Sequence, residues 1–474
     1  MFVGRHREIK LLSDLFDLNK SSLVVCKGRR RIGKSTLIEQ FGQKCTHFLE
    51  FQGLPPREGL TNKDQLNTFS EQLAAQTSFP QLKLESWYQA FSILNSVIKH
   101  ENTLVFLDEI SWMGGKDKDF AGQLKMIWDT ELKKHRHLIL VLCGSVTSWI
   151  EDNIMNHTGF MGRVSLEITL EELELHHCNA FWGKKTERIT SKEKLKILAV
   201  TGGVPRYLEE INPNLPAEEN INKMCFQKEG ILFSEFDKIF NDIFSRRAVI
   251  YKKLISALSS GHKSLSEITN KLKIDRSGAI SRYLDDLTLS GFIAKETVYK
   301  PGQNKKSRFC KYRLKENYLR FYVKYIEPLK DKIEKGLFEG IALDDLVDWE
   351  IIMGFQFENL ILNNLKLVCS NLGIRLTNIK SAGYYFQRKT QRQEACQIDL
   401  LIQTKYTIYV CEIKFRNTIT KKVIGDVQEK MNKLKVPKGI SVRPVLIYSG
   451  ELEKSIEKEA FFDHLICFEN FLYA

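Results

Sequence analysis

The chain has 474 residues, more than a single hydrophobic core accommodates, which predicts two to four domains. Apolar residues make up 43% and charged residues 27%, which is ordinary for a soluble globular protein. The longest apolar run, residues 138–150, is too short to span a bilayer, and the N-terminus lacks the apolar core of a signal peptide. We therefore expect a cytoplasmic protein with no membrane partner.

The ten cysteines form no CxxC pair, which favours buried reduced thiols over disulfides or zinc.

The positive charge of the chain is concentrated in one central segment. Residues 245–332 contain 21 Lys or Arg against 8 Asp or Glu, an excess equal to the +13 of the whole protein. A localised basic region suits a polyanionic partner such as DNA. On charge alone, a solvated lysine-rich surface explains the segment equally well.

The pattern of apolar runs divides the chain into segments. In residues 1–170, short β-rich runs alternate with amphipathic stretches, which predicts a parallel sheet covered by helices. Residues 171–245 have a helical pattern, and residues 246–330 begin with three short helices and a hairpin. From residue 350 to residue 474, a helix precedes four strand-like runs, which predicts a second, separate α/β unit.

The stretch GRRRIGKST, residues 28–36, matches the phosphate-loop pattern G-x-x-x-x-G-K-[ST] in full. It follows the strand-like run SSLVVCK and precedes a helical run, which is the context that the motif requires. Glycines let backbone N–H groups converge on phosphate oxygens, and the following helix adds its positive end. We expect Lys34 to reach the β and γ phosphates of a nucleotide and Ser35 to ligate Mg²⁺. The predicted nucleotide contacts of the loop are Gly28, Arg29, Arg30, Arg31, Ile32, Gly33, Lys34, Ser35 and Thr36.

Two acidic residues end the next predicted strand, TLVFLDEI. Asp108 would join Ser35 around Mg²⁺, and Glu109 would polarise the attacking water of a nucleotide hydrolase. Such a pair is also typical of a solvated turn, but its position one strand after the phosphate loop favours the catalytic interpretation. Ser145 ends the run LILVLCGS, where it would touch the γ-phosphate or the water; a small residue in a tight turn explains it equally well.

Together these residues resemble the AAA+/STAND branch of P-loop ATPases, in particular the archaeal-type ATPase family. The resemblance covers residues 1–330 and passes in order through FVGRHREIKLL, GRRRIGKST, LVFLDEI, VLCGSVTSWI and TGGVPRYL. It implies binding and hydrolysis of ATP, places Gly4 and Arg5 near the adenine, and makes Arg163 in FMGRVSLEITL a candidate finger toward the γ-phosphate. Assembly into a homo-oligomer, as a ring or as a cluster formed on activation, stays open.

The basic segment predicts a helix, a turn and a helix, followed by a winged hairpin with the basic tip PGQNKKSR. The helix that begins at Ser277 would be the recognition helix, with Arg276, Ser281 and Arg282 facing phosphates or base edges. In the resembling family this winged helix more often packs against the ATPase core. We expect nonspecific contact with DNA through residues 246–330 and the C-terminal domain.

Near the C-terminus, Asp399, Glu412 and Lys414 form a D…E-x-K pattern. In a strand, Glu412 and Lys414 point to the same face, and a hairpin would place Asp399 opposite that face. Asp399 and Glu412 would then ligate Mg²⁺, and Lys414 would orient or activate a water molecule. Glu358, on the preceding helix, would add a ligand, and Gln428 would steady the site. A structural ion pair is the alternative interpretation.

This arrangement is similar to the PD-(D/E)XK nuclease-like domain over about residues 350–474, with Ile398 in place of the proline. The resemblance implies a metal-dependent DNA nuclease gated by the nucleotide state. A nucleotide switch whose C-terminal domain only docks nucleic acid or protein stays open, as does a transcription regulator. The predicted fold class is α/β: a P-loop NTPase core (1–170), a helical lid (171–245), a basic winged helix-turn-helix (246–330) and a restriction-endonuclease-like α/β domain (350–474).

Overall fold

A computed structural model describes residues 1–145, 147–244, 247–299, 301, 306–338, 340–391 and 393–473. The chain divides into two compact units. The first comprises Met1–Glu171 with Leu289–Gly291, and the second comprises Glu172–Thr288 and Phe292–Ala474. Within the described residues, no helix is long and apolar enough to cross a membrane.

The first unit is built on a five-stranded sheet. Its strands are β1 (Ser22–Lys27), β2 (His47–Gln52), β3 (Thr103–Asp108), β4 (Leu138–Gly144) and β5 (Val164–Thr169). They lie in the order β2-β3-β4-β1-β5, and every neighbouring pair is parallel. All residues of β1, β3 and β4 are buried, because both faces of the sheet are covered. This explains why these strands are continuous apolar runs rather than alternating ones.

Helices cover both faces of this sheet. They are α1 (His6–Asp17), α2 (Lys34–Gly42), α3 (Asn62–Gln76), α4 (Trp87–Val97), α5 (Ile110–Gly114), α6 (Phe120–Thr130) and α7 (Thr147–Ile150). Along β1, Leu23 and Val25 join one core with residues of α3, α4 and α6, while Val24 and Cys26 join the other with residues of α1 and α2. Each fully buried aliphatic side chain contributes about 1.5–3 kcal/mol. The predicted α/β architecture with a parallel-sheet core is confirmed.

The second unit begins with helices. They are α8 (Leu175–Cys178), α9 (Ser191–Thr201), α10 (Pro205–Leu208), α11 (Ala217–Cys225), α12 (Ile231–Phe244), α13 (Ala248–Leu258), α14 (Leu265–Leu272) and α15 (Gly278–Leu289). A capping box starts α14, with Ser264 and Glu267 bonding each other's backbone N–H groups. An antiparallel hairpin of β6 (Ile293–Tyr299) and β7 (Lys306–Leu314) follows. Residues 302–305 of the predicted basic tip lie outside the described residues.

The rest of the second unit surrounds a mixed sheet. Its elements are α16 (Asn317–Phe321), α17 (Lys330–Glu334), α18 (Trp349–Asn363), α19 (Leu365–Asn371), β8 (Ser381–Gln387), β9 (Cys396–Gln403), β10 (Thr407–Ile419), α20 (Lys422–Lys433), β11 (Ser441–Leu452), α21 (Lys454–Lys458) and β12 (His464–Cys467). The strand order is β12-β11-β10-β9-β8. Strands β8, β9 and β10 are antiparallel because direct connections join them, whereas the crossovers through α20 and α21 make β11 and β12 parallel to β10.

Buried polar side chains of α18 connect the C-terminal sheet to the preceding helices of the same unit. The Gln356 side-chain amide donates to the backbone O of Asn317 at 2.7 Å, and that of Asn359 donates to the backbone O of Lys315 at 2.6 Å. Arg320 donates to Oε1 of Gln356 at 2.7 Å. The segments predicted as separate domains over 246–330 and 350–474 therefore pack together through satisfied polar groups.

Candidate functional sites

The loop between β1 and α2 depends on two glycines. Gly28 has a φ of 151°, and a Cβ at this position would lie 2.6 Å from the backbone O of Leu170, so a larger residue does not fit. Gly33, with a φ of 87°, precedes α2, and the structure describes no side-chain cap at this helix start. The first-turn N–H groups of α2 therefore suit an anion bound in the loop.

Lys34 is the first residue of α2. Its side chain is buried, and Nζ donates to the backbone O of Arg29 at 3.0 Å. A buried ammonium group is costly unless negative charge compensates it. The position therefore suits the phosphates of a nucleotide, as the sequence predicts.

The other side chains of the loop differ in their environments. Arg29 is buried, whereas the Arg30 guanidinium lies 5.6 Å from the Trp112 ring centroid, within cation–π range. Arg31 is exposed and has a φ of 68°. Ile32 is fully buried in the core and anchors the loop. The exposed residue Thr36 and these four remain predicted nucleotide contacts.

Ser35 and Asp108 meet beside the loop. The hydroxyl of Ser35 donates to Oδ2 of Asp108 at 2.7 Å, and Oδ1 of Asp108 accepts the N–H of Glu109 at 2.9 Å. Asp108 ends β3 and is only 4% exposed. A hydroxyl and a carboxylate are oxygen ligands of the kind that Mg²⁺ takes, so this pair fits the predicted ion.

Glu109 and Ser145 form the second contact of the site. The Ser145 hydroxyl lies 3.0 Å from each carboxylate oxygen of Glu109. The backbone nitrogen of Ser145 also donates to Oε2 of Glu109, at 3.3 Å. Glu109 has a φ of 49°, a conformation that costs about 1–3 kcal/mol and persists only where the surroundings fix it. The sequence analysis did not foresee that Ser145 contacts Glu109, and contact of Ser145 with the γ-phosphate or the water stays a prediction.

Gly4 and Arg5 both adopt positive φ angles, of 67° and 62°. An Nη atom of Arg5 donates to the backbone O of Ile32 at 3.2 Å and to that of Glu171 at 2.6 Å. Arg5 therefore braces the phosphate loop. Its contact with adenine stays a prediction.

The structure does not bring Arg163 to the phosphate loop of its own chain. Strand β5 is parallel to β1, with Val164 beside Leu23 and Thr169 beside Lys27, the residue before the loop. Arg163 therefore lies at the opposite end of the sheet, roughly 16 Å of strand away. Its guanidinium makes two hydrogen bonds of 2.8 Å to Asp129 and holds the pKa of that carboxyl far below its usual range. The strand direction therefore keeps Arg163 away from the loop of its own chain, and a finger that acts on the loop of a neighbouring subunit stays a prediction.

Asp399, Glu412 and Lys414 lie together in the C-terminal sheet. Strands β9 and β10 are antiparallel, with Cys411 opposite Leu400, so the register brings Glu412 opposite Asp399. Oδ2 of Asp399 accepts the N–H of Ile413 at 3.0 Å, and Nζ of Lys414 lies 2.6 Å from Oε1 of Glu412. The predicted hairpin is present and brings together the residues of the D…E-x-K pattern.

A second lysine in this site was missed by the sequence analysis. Nζ of Lys430, on α20, lies 2.5 Å from Oε2 of Glu412 and 3.9 Å from Oδ1 of Asp399. Gln428 is exposed and donates to Asn432 instead. Helical periodicity in the sequence could have revealed Lys430, because this residue lies on the same helix face as the buried residues Val423 and Val427. Both oxygens of the buried Glu412 are thus paired with lysines.

Glu358 extends the site from α18. Its Oε1 is buried, has no hydrogen-bond partner among the residues that the structure describes, and lies 3.9 Å from Nδ1 of His262. Glu358, Asp399 and Lys414 line the same cleft of about 390 Å³. Burial, followed by the charge of Asp399, raises the pKa of Glu358 to about 8, and burial, followed by the charge of Glu412, raises the pKa of Asp399 to about 6.

A divalent cation bound in this cleft would give the unpartnered Glu358 oxygen a partner and would offset the repulsion between the neighbouring carboxylates. Among the described residues, no three His, Cys, Asp or Glu side chains are already gathered as a metal site. Mg²⁺ is often held by one or two carboxylates and water, so Glu358 and Asp399 fit it, with Glu412 as a further ligand if Lys430 moves.

The raised pKa values predict how stability changes with pH. Between about pH 4 and pH 8 the folded state holds protons on Glu358 and Asp399 that the unfolded state has released. Without metal, the free energy of unfolding of the second unit should therefore fall as pH rises through this window. Mg²⁺ should restore stability most strongly at the high-pH end. Thermal unfolding from pH 5 to pH 9, with and without Mg²⁺, measures both effects. Glu358→Gln should flatten the dependence, and an unchanged slope would contradict the assignment.

Comparisons with known proteins support the first unit's assignment. Residues 2–211 match the family model of an ATPase domain predominantly from Archaea. An uncharacterized protein of Methanocaldococcus jannaschii is 26% identical over 360 residues, which are 76% of each chain. An uncharacterized ATP-binding protein of the same organism is 44% identical over 41 residues, covering 9% of this chain and 70% of that protein.

Among solved structures, the Walker-type ATPase of Pyrococcus abyssi is similar to this chain. It is 15% identical with a TM-score of 0.51, over 68% of this chain and 96% of that one, which shows a shared fold. The family match over residues 2–211, the complete phosphate-loop sequence and the parallel-sheet core together support a P-loop ATPase domain that is similar to those of Archaea.

Proposed function

We propose that the first unit binds ATP with Mg²⁺ and hydrolyses it. The observation that carries the proposal is the 2.7 Å contact between Ser35 and Asp108 beside a complete phosphate loop. Lys34 and the loop N–H groups would hold the β and γ phosphates, and Ser35 and Asp108 would hold the ion. Bound Mg²⁺ supplies neutralisation of charge on the phosphate oxygens.

Glu109 is the candidate for positioning the attacking water. Its carboxylate would accept a hydrogen bond from that water and direct the oxygen toward the γ-phosphate. Ser145 would keep the carboxylate in place, because its hydroxyl contacts both oxygens. Gly4 and Arg5 remain candidates for contact with the adenine.

Glu109→Gln should preserve ATP binding and lower turnover about a hundred- to ten-thousand-fold, because the amide is a poor proton acceptor. Ser145→Ala removes a positioning hydrogen bond of about 1 kcal/mol and should lower turnover only about fivefold. Phosphate release measures turnover, and titration with a fluorescent ATP analogue measures binding. Turnover in Glu109→Gln equal to that of the unmodified chain would remove Glu109 from the mechanism.

We further propose that the second unit cleaves DNA in a metal-dependent reaction gated by the ATPase. The unpartnered oxygen of Glu358 in a cleft shared with Asp399 and Lys414 favours this function. Asp399, Glu412 and Glu358 would hold Mg²⁺, which polarises a phosphodiester when bound. Lys414 would orient the nucleophilic water or hold its proton.

The proposed path of DNA also includes the basic segment. We propose that helices α13 to α15 and the β6–β7 hairpin, which follow one another in the order of a winged helix, form that motif, and that residues 171–245 are the lid of the ATPase. Arg276 and Arg282 are exposed at the start of α15, and Ser281 is half-buried beside them. Cations at this helix start suit nonspecific contact with phosphates. The expected result is salt-sensitive binding to a duplex of any sequence.

A different function is favoured by the pairing of Glu412 with two lysines. If those ion pairs persist, the C-terminal sheet docks nucleic acid or protein without cutting, and the protein acts as an ATP-driven switch. A purified protein that hydrolyses ATP but does not nick DNA with Mg²⁺ or Mn²⁺ would support the switch.

A further inference from the structure

We infer that the cleft beside Asp399 is a subsite for one unpaired nucleotide of a nucleic-acid strand, with the base against α18 and a neighbouring phosphate between Arg416 and Lys422. The inference rests on the proposed action of the C-terminal sheet on nucleic acid, and it names the substrate class: single strands, flaps and frayed ends.

Helix α18 contributes an apolar strip to the lining of the cleft. The strip consists of Ile351, Gly354 and Phe355, at the three- and four-residue spacing that places residues on one helix face, and it lies between the cleft-lining carboxylates Glu350 and Glu358. Ile351 is 60% exposed, so its side chain extends this apolar strip to the mouth of the cleft. Such a surface suits the face of a base.

The ring of Phe355 is held in place. The guanidinium of Arg320 lies 5.4 Å from its centroid. Arg320 is itself buried and donates to the backbone O of Ser259 at 3.1 Å and to Oε1 of Gln356 at 2.7 Å. A ring fixed in this way stacks on a base at little further cost in side-chain entropy.

Two cations of the cleft lining also line a second cavity. Lys414 and Arg416 line the cleft from β10, and both also line a neighbouring cavity of about 90 Å³. Lys422 and the Thr420 hydroxyl line that cavity too, with Asp426 as its carboxylate. Lys414 already pairs with Glu412, so Arg416 and Lys422 against Asp426 leave the positive excess that favours an anion, and the Thr420 hydroxyl adds a donor for a phosphate oxygen.

Size and chemistry together select an unpaired nucleotide. A cleft of about 390 Å³ is in the range of pockets for small ligands. A base within a duplex is paired and stacked, so it reaches the Phe355 ring only after flipping out, which has a free-energy cost. A strand with unpaired bases avoids that cost while its phosphates still meet Arg416 and Lys422.

The test uses the full chain with Ca²⁺ and a 12-nucleotide strand that carries one 2-aminopurine, alone or in a blunt duplex. Stacking on Phe355 should quench 2-aminopurine in the single strand and not in the duplex. Phe355→Ala should weaken single-strand binding about five- to hundredfold and abolish the quenching. Phe355→Leu, which keeps most of the packing, should behave in the same way. Leu376→Ala, at an exposed apolar residue that does not line the cleft, is the matched control and should change neither signal.

The phosphate part of the inference has its own measurement. The slope of log affinity against log salt for the single strand should fall by about 0.7 for Arg416→Ala and again for Lys422→Ala. Lys438→Ala, at an exposed lysine before β11, should leave the slope unchanged. Equal quenching in the duplex, or unchanged quenching in both Phe355 variants, overturns the inference.

Cleavage of the same oligonucleotides with Mn²⁺ separates this inference from the proposed nuclease. If the protein cuts paired and unpaired strands equally and no quenching is seen, the subsite is overturned and the nuclease proposal is supported. Quenching and salt slopes as expected, without cutting, support the subsite and contradict the nuclease in favour of docking.

Discussion

Lys34→Ala is expected to abolish ATP turnover and to weaken ATP binding about a hundredfold. The ammonium group lies in the phosphate loop, 3.0 Å from the backbone O of Arg29, where it would make charge-assisted hydrogen bonds to phosphate. Loss of a hydrogen bond to a charged group costs about 1.5–3 kcal/mol, and the upper end applies because the site is largely buried. Turnover should fall below detection because the same ammonium stabilises the transferred phosphoryl group.

Thermal unfolding provides a second measurement of the same change. ATP at a hundred times the dissociation constant of the unmodified chain stabilises the folded state by about 2.7 kcal/mol, and in Lys34→Ala the same ATP concentration should stabilise it by only about 0.4 kcal/mol. Lys44→Ala is the matched control, because Lys44 is an exposed lysine two residues beyond the end of α2. Unchanged turnover in Lys34→Ala would remove the phosphate loop from the proposed function.

The central part of the ATPase fold was predictable because it depends on local signals. Strands β1 and β3 are buried on both faces, so each is a continuous apolar run that precedes its functional residues directly. The phosphate loop is a contiguous motif, and its glycines are required by the backbone at Gly28 and Gly33. The strand order β2-β3-β4-β1-β5 depends on where helices cross the sheet, which no local pattern shows.

Contacts between distant elements explain what the sequence did not show. Ser145 reaches Glu109 because β4 ends beside β3, and Arg163 contacts Asp129 because it precedes β5, at the end of the parallel sheet opposite the phosphate loop. Lys430 comes to Glu412 from a helix 18 residues further along the chain. By contrast, the period of two along β10 already placed Glu412 and Lys414 on one face.

Asp399→Ala or Lys414→Ala should abolish metal-dependent DNA cleavage and leave ATP turnover unchanged. Removing Asp399 takes away the carboxylate closest in register to Glu412, so the ion loses a ligand. Removing Lys414 leaves the ion site but takes away the cation beside the water and one partner of Glu412. Neither residue belongs to the proposed ATP site, so ATP turnover should persist in both variants.

Matched variants separate chemistry from folding in this experiment. Asp399→Asn keeps the shape of the side chain and its ability to accept the N–H of Ile413, so it tests the ligand charge with little change in packing. Glu469→Ala, at an exposed carboxylate in the same unit, should cut DNA as the unmodified chain does. Supercoiled plasmid with Mg²⁺ or Mn²⁺ measures cutting, and phosphate release from the same samples measures ATP turnover. Loss of both activities in each variant would contradict the separation of the two sites, because a ligand in the second unit has no part in phosphoryl transfer by the first.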